Sequence, residues 1–223
     1  MMMSEERYFC VGCNFSKPKR YMNTVLGNLG LCRDCAESIH LTKDMTFEGK
    51  EFIDVVIAPF LYDGVISETV RAFKFSDQRL YGVFLTALAL EHLKNKDLLN
   101  DCDVIIPVPL HKNRFDERGF NQAEIIADKL AKTLNKEVDT NTLFRIRDTL
   151  HQSSLTGYKR IENVKNAFIA AEGTICGKKI ILVDDIYTMG ETANECARML
   201  KGAGAKSVVV FALCRATEKS SSK

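Results

Sequence analysis

The stretch from Ile180 to Thr192 limits what this chain can become more than any other. Ile180-Ile181-Leu182-Val183 is an unbroken apolar run, the pattern of a parallel strand covered on both faces. Asp184 and Asp185 follow at once. Ile186-Tyr187-Thr188-Met189-Gly190 then leads into a helix expected over Glu191 to Lys201, ended by Gly202-Ala203-Gly204. Ser207 to Leu213 reads as a second apolar strand, so the unit is strand–helix–strand with a right-handed crossover. The two carboxylates fall at the C-terminal end of a buried strand, where open α/β sheets bind their ligands. The helix N-terminus offers unpaired N–H groups to a phosphate, and Thr188 and Thr192 add hydroxyl donors. Gly190 lets the backbone approach closely. Asp184 and Asp185 can accept hydrogen bonds from vicinal ribose hydroxyls. One stretch thus provides for both parts of a ribose 5-phosphate.

Upstream, Phe52 to Ile57 reads as a strand and Pro59 to Tyr62 as a second extended piece ending at the Asp63-Gly64 turn. Ile66, Val70 and Phe73 recur at helical spacing. A richly apolar helix is expected over Leu80 to Leu93. Asp103 to Ile106 forms a short buried strand stopped by Pro107 and Pro109, and a helix follows from Asn121 to Leu134. Thr217 to Lys223 reads as a polar, frayed tail.

Four of the eight cysteines lie near the N-terminus, as Cys10-x-x-Cys13 and Cys32-x-x-Cys35. Two such knuckles complete a tetrahedron of thiolates around Zn²⁺, a closed site that stabilises a fold and leaves no position for water. Gly12 is expected to supply unusual backbone angles in the first knuckle. The polar stretch Lys43 to Lys50, with Gly49, reads as a linker or turn. The expected organisation is a zinc-ribbon-like module over 1–48, an α/β domain over 49–216 and a flexible tail over 217–223. Between the knuckles, Lys17-Pro18-Lys19-Arg20-Tyr21 has two readings: a basic loop for nucleic acid, or a solvated loop. His40 and His92 read as surface or packing residues rather than ligands.

The chain has 223 residues, a net charge of +2 and 27% charged residues. That balance excludes a basic nucleic-acid coat, and the 46% hydrophobic content excludes a mainly disordered chain. The N-terminus has no signal-peptide pattern, and no apolar run has the length of a membrane span, so a cytoplasmic, thiol-reducing setting is expected.

The Ile180–Thr192 stretch resembles the phosphoribosyl pyrophosphate (PRPP) motif of type I phosphoribosyltransferases. Met189 departs from it, standing where that family has a small or hydroxylated residue. Glu191 takes the variable position that points away from the phosphate. Two further segments narrow the resemblance. One runs from Pro107-Val108-Pro109-Leu110-His111 through Arg114 to Arg118-Gly119-Phe120-Asn121-Gln122-Ala123. The other is Arg145-x-Arg147-x-Thr149-x-x-Gln152 with Arg160-x-x-Asn163-Val164. Together with the cysteines, these resemble the ComF (ComFC) family of competence proteins across nearly the whole chain.

The resemblance implies a phosphoribosyltransferase-like, mainly parallel sheet flanked by helices, behind a small zinc module. It implies that Asp184, Asp185, Thr188, Met189, Gly190 and Thr192 bind PRPP, with Mg²⁺. Arg118, Gly119 and Asn121 would hold pyrophosphate, with Arg114 nearby. Gln152, Arg160 and Asn163 would lie on a closing catalytic loop. His111 and His151 adjoin these loops and read as solvent-facing residues, with acid–base chemistry as the alternative. It implies a role in bacterial DNA uptake and transformation, with single-stranded DNA and DNA-uptake or recombination proteins as partners. Three functions stay open: a PRPP-binding protein of DNA uptake, an active phosphoribosyltransferase of nucleobase metabolism, and a non-catalytic adaptor.

Overall fold

Hydrogen bonding in the cysteine segment is spent on a small sheet of its own. The computed structural model describes residues 6–75, 78–93, 97–149 and 162–216. Strands β1 (Arg7–Cys10), β2 (Ser16–Pro18), β3 (Met22–Leu26) and β4 (Leu29–Cys32) form a four-stranded sheet in the order β2-β1-β4-β3. Helix α1 (Arg33–Glu37) starts directly from Cys32. The basic residues Lys17 to Tyr21 are therefore not an open loop. They lie on β2 and on a single 3₁₀ turn over Lys19–Tyr21.

The polar stretch read as a linker instead contributes β5 (Thr46–Glu48), which pairs antiparallel with β6 (Val55–Ile57) at the edge of the larger sheet. The expected strand from Phe52 begins only at Val55. The Phe52 N–H donates to Asn194 Oδ1 at 3.1 Å and the Ile53 N–H to the Lys50 carbonyl at 2.8 Å, so neither joins the ladder. After β7 (Phe60–Leu61) come α2 (Gly64–Phe75), α3 (Arg79–His92) and α4 (Asp97–Asn100). Then follow β8 (Val104–Pro107), α5 (Lys112–Arg118), α6 (Gln122–Leu134) and β9 (Glu137–Val138). A two-stranded ribbon joins β10 (Leu143–Arg145) to β11 (Phe168–Ala170). The chain then returns through β12 (Lys179–Tyr187), α7 (Glu191–Gly202) and β13 (Ser207–Arg215).

The seven-stranded sheet runs β5-β6-β13-β12-β8-β9, with β7 also on β13, and is parallel except at β5. From β8 the chain moves outward to β9, whereas from β12 it moves the other way to β13. Right-handed crossovers place α6 and α7 on opposite faces, and the direction reverses between β8 and β12. That reversal opens a crevice at the C-terminal ends of those two strands. The central residues Ile180 to Val183 and Val208, Val210 and Phe211 are fully buried, as their unbroken apolar pattern requires.

The cysteine module is docked on the first helices. Thr69 Oγ1 on α2 donates to the Val11 carbonyl at 3.4 Å, and Tyr81 OH on α3 lies 3.4 Å from Asn14 Oδ1. Among the described residues no helix is long and apolar enough to cross a membrane.

Candidate functional site

β12 is longer than the apolar run that announced it. It stays paired to β13 as far as Tyr187–Arg215, while its other neighbour, β8, stops pairing at Val183–Pro107. Asp184 and Asp185 are therefore held rigidly on one side and open to the crevice on the other. The Asp185 N–H donates to Asp184 Oδ1 at 2.8 Å. Burial, and then the charge of Asp185, pushes the Asp184 carboxyl up to about 7. Lys74 and Arg145 oppose that rise.

Lys74 comes from the last turn of α2, and its Nζ lies 2.8 Å from Asp185 Oδ2. Burial alone would lower the Lys74 pKa, but the attraction of Asp185 and Asp184 outweighs it and the ammonium is held charged. Nothing local in the sequence marks Lys74. Arg145 ends β10, with its guanidinium 5.4 Å from the centre of the Phe168 ring and a hydrogen bond to Thr149 Oγ1. Its Nε is buried and has no partner among the described residues.

The loop after β12 turns at Gly190, whose φ of +77° suits glycine and which caps α7. Thr188 is half-buried, and Met189 is 49% exposed, so its side chain lies towards solvent rather than filling the Thr188–Thr192 turn. Thr192 sits in the first turn of α7. Glu191 turns away from the loop, buried in an ion pair with Lys50. That pair removes the repulsion an inward carboxylate would bring to a phosphate.

The segment after β8 is helical where an open loop was expected. Arg114 and Arg118 both lie on α5. Arg118 Nη1 donates to Gln122 Oε1 at 2.9 Å, and Arg114 Nη2 donates to the Thr149 carbonyl at 2.6 Å. Gly119 closes α5 with its N–H donated to the Phe115 carbonyl at 2.7 Å. Asn121 is buried and caps α6: its Oδ1 accepts from the Ala123 N–H at 3.0 Å and its Nδ2 donates to the Val108 carbonyl at 3.1 Å. The Asn121 side chain and the Gly119 N–H are thus committed to the helix ends, and Arg118 is the charged member of that trio. His111 caps α5, accepting from the Asn113 N–H at 3.3 Å. Asn163 lies just before β11, its carbonyl held by Arg147 Nη2 at 3.0 Å. Gln152, Arg160 and His151 fall outside the described residues.

The four sulfurs of Cys10, Cys13, Cys32 and Cys35 lie within 4.8 Å of one another, with Cys13 and Cys32 Sγ 4.0 Å apart. A tetrahedral zinc with bonds of about 2.3 Å needs sulfur separations of roughly 3.8 Å, so the cluster fits one ion. Cys10 Sγ accepts from the Cys32 N–H at 3.3 Å. Burial would raise its pKa, but backbone N–H donors from Cys13, Cys32 and Gly12 overcome that and bring it down to about 7. Such N–H bonds stabilise the thiolates a metal requires. Gly12 is needed for space rather than for angle: a Cβ there would lie 2.8 Å from Cys35 Sγ, while the positive φ of the knuckle falls on Asn14. His40 is outside the cluster and pairs with Asp63 at 3.0 Å. His92 packs against Phe60 with ring centres 5.5 Å apart.

Residues 115–223 match the phosphoribosyl transferase domain family, and with the sheet and its strand-end acid pair they make this a phosphoribosyltransferase-type domain. Competence protein F of Haemophilus influenzae is 33% identical over 156 residues, covering 68% of each chain. Competence protein ComFC of Streptococcus pneumoniae is 31% identical over 188 residues, covering 82% of this chain and 80% of that one. DNA utilization protein YhgH of Escherichia coli is 34% identical over 157 residues, covering 69% of each. The chain belongs to the ComF family of competence proteins.

Proposed function

We propose that this protein binds PRPP at the Asp184–Asp185 crevice and acts in bacterial DNA uptake and use, contacting single-stranded DNA through its cysteine module. The observation that carries the PRPP reading is the pairing of a strand-end diacid with a helix-opening phosphate loop, bordered by Lys74, Arg114, Arg118 and Arg145. Asp184 and Asp185 would take the ribose diol, and the Thr188–Thr192 turn its 5-phosphate. The surrounding cations would meet the pyrophosphate, guanidinium forks being suited to it. Mg²⁺, which takes one or two carboxylates together with substrate phosphates, would neutralise pyrophosphate charge. The DNA-uptake role rests on the competence and DNA-utilization relatives.

Calorimetric titration with PRPP and Mg²⁺ tests the site. The wild type is expected to bind, and Asp184→Asn with Asp185→Asn to lose affinity by a factor on the order of 100 or more, since two charge-assisted hydrogen bonds are weakened. A wild type that takes up no PRPP removes the reading. Release of pyrophosphate with a nucleobase acceptor would extend it to catalysis.

For DNA, the support is aromatic. Phe15 is 67% exposed and Tyr21 50%, with the Arg20 guanidinium 4.9 Å from the Tyr21 ring centre. Exposed rings beside a cation form a stacking platform for bases. Lys17 and Lys19 face Asp34 and Glu6 at 3.7 and 3.3 Å, which tempers the basic charge of this surface. Phe15→Ala with Tyr21→Ala is expected to weaken single-stranded oligonucleotide binding by about fivefold or more in fluorescence anisotropy. Unchanged anisotropy titrations would refute this surface.

The four cysteines would hold one structural Zn²⁺ through their thiolates.

A further inference from the structure

Lys74 is paired directly with the acid pair, and no sequence motif assigns it. It reaches the crevice from α2, far in sequence from β12. Its ammonium sits 2.8 Å from Asp185 Oδ2 and close enough to Asp184 for that charge to be felt. Arg118 is near enough for the two positive charges to oppose each other. Lys74 thus feels the acids through a direct ion pair and a second cation through its charge. Only 20% of its side chain is exposed, so water screens the repulsion poorly. An anion set between Lys74 and Arg118 would relieve it.

We propose that Lys74 is an exchangeable counterion of the acid pair, neutralising Asp185 in the empty crevice and turning to the ligand's phosphate oxygens when a ribose diol takes the carboxylates. This rests on the PRPP reading of the same site and adds a ligand-binding residue to it. The exchange moves no covalent bond. The Asp185–Lys74 ion pair gives way to hydrogen bonds from the diol to Asp185 and from the ammonium to a phosphate oxygen. The Asp185 charge is neutralised while the crevice is empty, which avoids an uncompensated buried carboxylate. The cation is released where the pyrophosphate arrives.

The test uses the full-length protein with PRPP, ribose 5-phosphate and inorganic pyrophosphate, titrated by calorimetry with Mg²⁺, on Lys74→Met and Lys74→Arg. Lys74→Met is expected to weaken PRPP and pyrophosphate at least tenfold and ribose 5-phosphate by a smaller factor, with Lys74→Arg recovering part of the loss. Melting curves accompany each variant. The double variant Lys74→Met with Asp185→Asn is expected to melt near the wild type yet stay weak for pyrophosphate. Pyrophosphate affinity within twofold of wild type in Lys74→Met, or restored in the double variant, overturns the proposal and leaves the ion pair structural. A wild type that binds none of the three ligands overturns the underlying site reading instead.

Discussion

Cys32→Ser is expected to reduce bound zinc from about one per chain towards none and to unfold the N-terminal module. Four thiolates close the site, and a serine hydroxyl at neutral pH supplies neither the charge nor the soft donor of the thiolate it replaces. Cys32 does more than ligate. Its backbone N–H donates to Cys10 Sγ at 3.3 Å, its Sγ lies 4.0 Å from that of Cys13, and α1 begins at its end. Metal binding at structural zinc sites is worth about 10–16 kcal/mol in small peptides, so a sheet of such short strands has little else to hold it. The loss spreads into the larger domain, because the module covers α2 and α3 through Thr69–Val11 and Tyr81–Asn14. Metal analysis and a thermal melt, run together, decide the matter. Full zinc content with an unchanged melting temperature would show that Cys32 is not a ligand on which the module depends.

Gly190→Ala is expected to destabilise the chain by about 2–4 kcal/mol and to remove phosphate binding with it. Two independent costs add at this position. The φ of +77° is strained for any residue with a Cβ, and that Cβ would lie 2.3 Å from the Tyr187 hydroxyl. Tyr187 has little room to yield: it is buried, its backbone pairs with Arg215, and its ring meets Phe47 edge-on at 5.6 Å. The turn itself must shift, and the first N–H groups of α7 shift with it. Denaturant melts and phosphate titration measure the two effects separately. A variant as stable as the wild type would contradict the clash.

Much of the site was legible because it is local. The run Ile180 to Val183, the paired acids and the Thr/Gly turn are consecutive, and their hydrogen-bonding geometry follows from strand, turn and helix rules alone. The two CxxC knuckles are local in the same way. What stayed hidden arrives from elsewhere in the chain. Lys74 looks like any charged residue on an amphipathic helix, and Lys50 like part of a linker. Asn121 looked like a phosphate ligand within the Arg118–Ala123 segment, yet its side chain is committed to capping α6 and tying down Val108. Arg114 and Arg118 were expected near a pyrophosphate-holding loop because the resemblance to phosphoribosyltransferases implies one after this strand. The helix that follows has too little apolar periodicity to announce itself, and none of its residues is buried.

The sequence by itself determined the α/β class, the βαβ unit that carries the acid pair, and the four-cysteine cluster. Each rests on periodicity or spacing within a few consecutive residues. The tertiary structure alone decided which charges face that acid pair, that Glu191 is drawn away by Lys50, and that the cysteine module rests on α2 and α3. Those outcomes depend on side chains that meet only when distant segments pack, and no local pattern encodes which partner a buried charge will find.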